Sequence, residues 1–424
     1  MRETYATAPT NGLEATLWTK RKDHWAMKWP SRHGVFTHED LLSVFAAWRA
    51  TGDAAFLEAV RAWYAFLDAR ARLPFGATVM DEEWGHPGPG RGTESCALAA
   101  EEWSRINLMA GLGEGRWGDD VERAFFNAAP AMTDRAWRNH VYFQVPNRLE
   151  ARPVKRLSVG DTVEETSATY ARKHSPLCCT AGLNRVLPNY VQAMWTTTAD
   201  GGVAAALYGP CSVDVAVPGG RFAAEERTDY PFGDAIEIEI VAAPAGEMPL
   251  KLRLPGWCAN PRVSLDGTPL ATKPAYGFVD WFLGLFADRP TFKDGFMTMT
   301  RTWRAGEKLS IVFPMEPRVD VVRDLDDTQK DFACLSAGPL LFARGFAEKD
   351  DNAAAEEIAV PEIDPNTALA GARLNRAALP RPWNWPLASP TTLSVKDAAG
   401  RTLELVPYGC TKLRASMFPA GAAK

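Results

Sequence analysis

The spacing of apolar residues changes once along this chain, near residue 198, and a fold of one structural class cannot accommodate both parts. Upstream, Leu41, Leu42, Val44, Phe45 and Trp48 recur at helical spacing in THEDLLSVFAAWRA (37–50). Thr51-Gly52-Asp53 breaks the pattern, and AAFLEAVRAWYAFLDARAR resumes it with Asp53 placed as N-cap. ESCALAAEEWSRINLMAGL (94–112) and GEGRWGDDVERAFFNAA (113–129) repeat the design. Gly52, Phe56 and Val60 align with Gly113, Trp117 and Val121, each at an offset of 61 residues. Hairpins of this kind cannot bury their own apolar face, so they stack into a toroid or solenoid. AGLNRVLPNYVQAMW (181–195) reads as another helix, bent at Pro188. Downstream, GVAAALYG, DAIEIEIVAA, LKLRLPGW, RVSLDGTPL and MTMTRTWRAGEKLSIVFPM alternate with period two between Gly, Pro and Asp-Gly turns, the pattern of an antiparallel β-sandwich.

The fold class is therefore multidomain, α then β: a helical part at 1–198, a sandwich at 199–346, and a connector with terminal strands at 347–424. An aromatic-rich insertion at 271–296 interrupts the sandwich, and a last pair of strands falls around 391–407. A length of 424 residues agrees with two or three domains. The formal charge of −5, with no basic block, argues against nucleic-acid or anionic-membrane partners. No apolar run is long enough to span a bilayer, and MRETYATAPTNGLEA lacks the layout of a secretory signal. Seven scattered cysteines do not form a disulfide framework, so a reducing, cytoplasmic setting is expected.

Two motifs stand apart. HSPLCCTAGLNR (174–185) places Cys178 beside Cys179, and a bridge between neighbours strains disulfide geometry. GRGTESCALAAEEW (90–103) holds Glu94 and Cys96 at the start of a helix. With Thr93 and Thr180 as N-caps, both sets of ionisable groups sit at helix N-termini, where free N–H groups and the macrodipole favour thiolate. Three cysteines and a carboxylate suit a tetrahedral Zn²⁺. The spacing matches no zinc-finger pattern, and cysteine also serves as a small buried hydrophobe, the reading given to Cys211, Cys258, Cys334 and Cys410.

SRHGVF, TGDAAFLEAVR, DEEWGHPGPGRGTESCA, VERAFFNAA, PLCCTAGLNR, LYGP, ERTDYPF, LRLPGWC, RTWRAGEKLSIVFPMEPR and LSAGPLLFARG follow one another over residues 31 to 345. In that order they resemble the β-L-arabinofuranosidases of glycoside hydrolase family 127. The resemblance implies a partial (α/α)6 toroid, since relatives carry further hairpins ahead of SRHGVF, and an oligomer is one way to complete it. It implies Zn²⁺ on Glu94, Cys96, Cys178 and Cys179, with Cys178 as nucleophile and Glu82 as acid/base (Glu83 if the alignment slips by one residue). It also implies that His33 and Glu122 hold sugar hydroxyls. Trp84, beside the expected acid, is the aromatic best placed to stack on a sugar, and His86 and His174 lie near enough in sequence to line the pocket. A retaining glycosidase of this kind acts on an oligosaccharide or glycoconjugate. The other expectation is a shortened paralogue that keeps zinc as a staple and binds carbohydrate or a partner without turnover.

Overall fold

A computed structural model describes residues 33–151, 169–174, 177–273, 290–347, 359–379 and 391–421. Among them five helices precede most of the strands. They are α1 (Gly34–Thr51), α2 (Ala54–Arg70), α3 (Ser95–Leu112), α4 (Arg116–Ala131) and α5 (Cys178–Ala193). The repeat seen in the sequence is real in the backbone. Gly52 and Gly113 end α1 and α3 at φ +71° and +68°, a left-handed conformation that side chains other than glycine adopt at a cost. Asp53 caps α2, accepting the amide of Ala55 at 3.1 Å. The helix of the cysteine pair begins at Cys178 itself, so Thr180 lies inside it rather than capping it.

By contact density the chain divides into two compact units. The first comprises residues up to 107, 123–188 and 317–424, and the second 108–122 and 189–316. Residues from 317 onward therefore belong with most of the helical region, where the sequence placed 199–346 together. In the first unit, short strands β1 (Met80–Asp81), β2 (Glu83–Trp84), β3 (Thr93–Glu94) and β4 (Phe143–Gln144) form a ribbon in the order β2-β1-β3-β4. This ribbon carries Glu83 and Glu94, with Glu82 between β1 and β2.

The second unit is built from two sheets. One has the order 291–293, 296–302, 247–253, 203–205, 195–197; the other runs 268–270, 262–265, 308–312, 235–242, 220–228, 211–217. Inward residues alternate as expected, with Ile236, Ile238 and Ile240 all buried. Asp266 and Gly267, both at positive φ, make the Asp-Gly hairpin turn. One pairing departs from the antiparallel expectation: residues 203–205 run parallel to 250–252. Period two fixes which face a side chain takes but not strand direction.

The C-terminal sheet of the first unit pairs strands at 317–323, 331–337, 340–345, 402–407, 391–396 and 373–376 in that order. The last of these lies in the stretch expected to be connector. Arg373–Arg376 pairs with Thr391–Lys396 and is mostly exposed, so its composition resembles a loop. Residues 274–289 of the aromatic insertion read at 271–296, and 348–358 and 380–390 of the connector, lie outside the described residues. No described helix is long and apolar enough to cross a membrane.

Replacing Asp53 with Ala removes the α2 cap, and we expect a loss of about 1 kcal/mol in denaturant unfolding with the slope unchanged.

Candidate metal and catalytic centre

Two helix N-termini meet in the first unit because one position has no side chain. A Cβ on Gly182 would lie 2.6 Å from both Cα and Cβ of Cys96, so the first turn of α5 rests directly on the start of α3. The start of α3 is fixed in turn by Ser95, whose amide donates to Tyr142 O at 3.0 Å and whose hydroxyl donates to Val141 O at 2.7 Å. Thr93 is part of β3 and pairs with Gln144, so it does not cap α3.

This contact gathers Glu94, Cys96, Cys178 and Cys179, whose ligand atoms all lie within 4.8 Å of one another. Cys96 Sγ stands 3.3 Å from Cys179 Sγ and 3.6 Å from Cys178 Sγ, and Cys179 Sγ is 3.9 Å from Glu94 Oε2. These separations exceed a disulfide, and all three thiols are free. Sulfurs bound at ~2.3 Å to one tetrahedral cation stand about 3.8 Å apart, so the spacing fits a shared ion after small adjustment. Glu94 and Cys179 are fully buried, Cys96 nearly so, and Cys178 alone is exposed.

The charges need that ion. Burial, reinforced by Glu82, pushes Glu94 up to about 8. Hydrogen bonds to Cys178 and Cys179, then burial, push Cys96 far up, and burial raises Cys179. Cys178 alone is lowered, by hydrogen bonds from Cys179 and Cys96. Burial and mutual hydrogen bonding thus oppose charge on Cys96 and Cys179, and a bound divalent ion would favour it. Glu94 Oε1 is buried without a hydrogen-bond donor and faces His33 Nε2 at 3.8 Å. The donor set is therefore one that a metal would complete.

Glu82 and His33 join the group on its other side. Glu82 sits at φ +74°, a strained backbone for a residue with a side chain. Its carbonyl accepts the Gly34 amide at 2.8 Å, which anchors the start of α1. Gly34 is required there, because a Cβ would lie 2.6 Å from that of Met80. Tyr142 donates its hydroxyl to Glu82 Oε1 at 3.0 Å and lies 3.9 Å from Cys178 Sγ. Burial pushes the Tyr142 phenol up, so it remains a donor. His33 Nε2 is 3.5 Å from Glu82 Oε2. Burial alone would lower His33, but the hydrogen bond with Glu82 and the charge of Glu94 outweigh it and raise the imidazole.

The other expected residues are placed differently. Glu83 bridges His33 through the backbone and is not among the clustered ligand atoms. Trp84 is 1% exposed and meets Trp63 and Phe66 edge-to-face at 6.4 and 5.4 Å, which makes it core rather than a sugar platform. Glu122 lies in the second unit, fully buried, paired with Arg253 Nη2 and accepting Tyr208 N at 3.0 Å and Tyr230 Oη at 2.6 Å. With both oxygens so engaged, its carboxylate is structural. His86 pairs with Asp326 at 3.0 Å, and His174 Nε2 meets His140 O at 2.9 Å. Sequence reasoning missed Tyr142 and Gly182. HVYFQVPN carries no signal for Tyr142, whereas Gly182 at the fifth position of a helix, where glycine is disfavoured, was a legible hint of close backbone approach.

Residues 202–315 match the family model for the β-L-arabinofuranosidase GH127 middle domain. Over that segment the chain is similar to GH127 proteins. Its fold is similar to that of a GH127 β-L-arabinofuranosidase from Geobacillus stearothermophilus T6, at TM-score 0.67 and 17% identity over 92% of this chain. A structure titled glycoside hydrolase gives TM-score 0.71 at 14% identity over 95% of this chain, and a GH127 β-arabinofuranosidase gives 0.69 at 16% over 96%. The chain spans 60%, 67% and 64% of those three structures respectively. No curated protein sequence matches it.

Gly182→Ala should separate α5 from Cys96. We expect metal stoichiometry by elemental analysis to fall at least several-fold while the helical content by circular dichroism is retained. Glu122→Ala should do the opposite, lowering stability by about 3–5 kcal/mol through loss of its buried pair with Arg253 and of the acceptor for Tyr208 N and Tyr230 Oη, and leaving metal content intact in folded protein.

Proposed function

We propose that this protein is a retaining glycoside hydrolase that releases β-linked L-arabinofuranose or a related furanose, with Cys178 as nucleophile and Glu82 as acid/base. The observation that carries the reading is the placement of one exposed thiol, Cys178, against the carboxylate–phenol pair of Glu82 and Tyr142. Zn²⁺ held by Glu94, Cys96, Cys178 and Cys179 would supply the positive charge that keeps the sulfurs deprotonated at neutral pH.

In the first step Cys178 Sγ attacks the anomeric carbon, the glycosidic C–O bond breaks, and Glu82 gives its proton to the departing oxygen. Tyr142, donating to Glu82 Oε1, leaves Oε2 to carry that proton and orients it. In the second step the Glu82 carboxylate takes a proton from water, the resulting hydroxide attacks the anomeric carbon, and the C–S bond breaks to return thiolate. Two inversions give net retention. His33, raised and close to both Glu82 and Glu94, holds positive charge where those carboxylates concentrate negative charge. It is also placed to donate to a sugar hydroxyl.

A second reading is a carbohydrate-binding protein that keeps the metal as a structural staple. Turnover separates the two. On an aryl β-L-arabinofuranoside the wild type should release phenol, Cys178→Ala should be inactive, and Glu82→Gln should lose at least 10²-fold in kcat/KM. Metal analysis should give about one zinc per chain. Zinc without turnover in the wild type selects the staple; no zinc in freshly purified, reduced protein rejects both.

A further inference from the structure

A cavity lies in the first unit, lined by none of the residues of the thiol centre. It encloses about 590 Å³, within the range that takes a small organic ligand. Arg70, Arg72, Arg123, Arg318 and Arg323 line it, against only Asp68 and Asp320, in a chain whose formal charge is −5. Its floor is apolar, with Leu73, Pro74 and Val322.

Arg123 gives this cleft its character. It is anchored by Nε to Pro74 O and by Nη2 to Ser336 Oγ, both at 2.9 Å. Its Nη1 is shut from solvent with no acceptor among the described residues, and no carboxylate there stands within ion-pair distance. Burial, followed by repulsion from Arg318, lowers the guanidinium to about 10. Arg123 is part-buried, Asp320 attracts it only from beyond ion-pair distance, and the neighbouring arginines add to the cost of its charge. The aspartates that line the cleft offer Arg123 no ion-pair partner: Asp68 is committed to Arg72 and to Arg105, at 2.6 Å from the latter, and Asp320 stands 3.9 Å from Arg318. Arg323 pairs with Asp331 at 3.2 Å yet remains half-exposed, free to swing toward a ligand.

We propose that this cleft binds a sugar-sized oxyanion, either a uronate or a sugar phosphate, whose charge neutralises Arg123 and is gripped by Arg318 and Arg323. Arginine suits both oxyanions because its planar fork meets two oxygens at once. The apolar floor accepts a sugar ring, which distinguishes the site from one for a bare inorganic ion. The inference does not rest on the thiol centre or on glycosidase activity.

Isothermal titration of the full chain at low salt tests it, using galacturonate, glucose 6-phosphate, inorganic phosphate and neutral galactose. One of the two sugar anions should bind at least tenfold more tightly than inorganic phosphate, galactose should give no heat, and raising salt should weaken binding. Which anion binds identifies the source. The double variant Arg318→Gln/Arg323→Gln should lose at least tenfold in affinity; if it fails to fold, Arg323→Gln alone should lose severalfold. Absence of binding by both sugar anions overturns the proposal, as does undiminished affinity in a folded variant. Equal affinity for inorganic phosphate and glucose 6-phosphate overturns the sugar-sized site.

Discussion

The bare backbone of Gly182 against Cys96 is the contact on which the centre depends. Two helices that start at separate points in the sequence can bring Cys178 and Cys179 within 3.3–3.6 Å of Cys96 only if their first turns touch. A Cβ on Gly182, 2.6 Å from two carbons of Cys96, would force those turns apart. The ribbon of short strands then does for Glu94 and Glu82 what the helix contact does for the sulfurs. Each carboxylate is set by backbone pairing, not by the rotamer of a long side chain.

Much of this was legible, and the reasons differ from residue to residue. The helical repeat could be read because Gly52 and Gly113 have a conformational duty that other residues perform poorly. The thiol cluster could be read because cysteines are rare and two adjacent ones cannot pair with each other. The choice of Glu82 over Glu83 as the clustered carboxylate came from the family resemblance and not from local pattern, because Glu82 is a single residue at positive φ between two short strands. Trp84 illustrates the same limit: proximity in sequence to an acid says nothing about which side of a two-residue strand an indole takes. Glu122 followed the family resemblance, yet in three dimensions its oxygens are occupied by Arg253, Tyr208 and Tyr230.

Buried ions are used here for positioning. Glu101 accepts from Thr78 N and Oγ1 at 2.8 Å and pairs with Arg105 at 2.9 Å. Burial would raise Glu101, but Arg105 and His38 overcome it and hold the carboxylate down to about 2. This fixes the chain at Thr78, four residues before Glu82. Such pairs contribute little net stability relative to apolar packing, and their value lies in allowing only one arrangement.

Next to Glu82 the same loop is tied down by Asp81, which receives Arg91 through two hydrogen bonds at 2.7 and 2.8 Å. Arg91 is itself paired with Asp326, which follows a strand of the C-terminal sheet and is backed by the Asp324 turn. The strands beyond residue 317 supply none of the clustered ligands, yet they hold one end of the acidic loop in place. Evolution of that sheet is thereby tethered to the chemistry: a substitution in its turn, some 240 positions along the chain, is felt at the carboxylate through a single guanidinium.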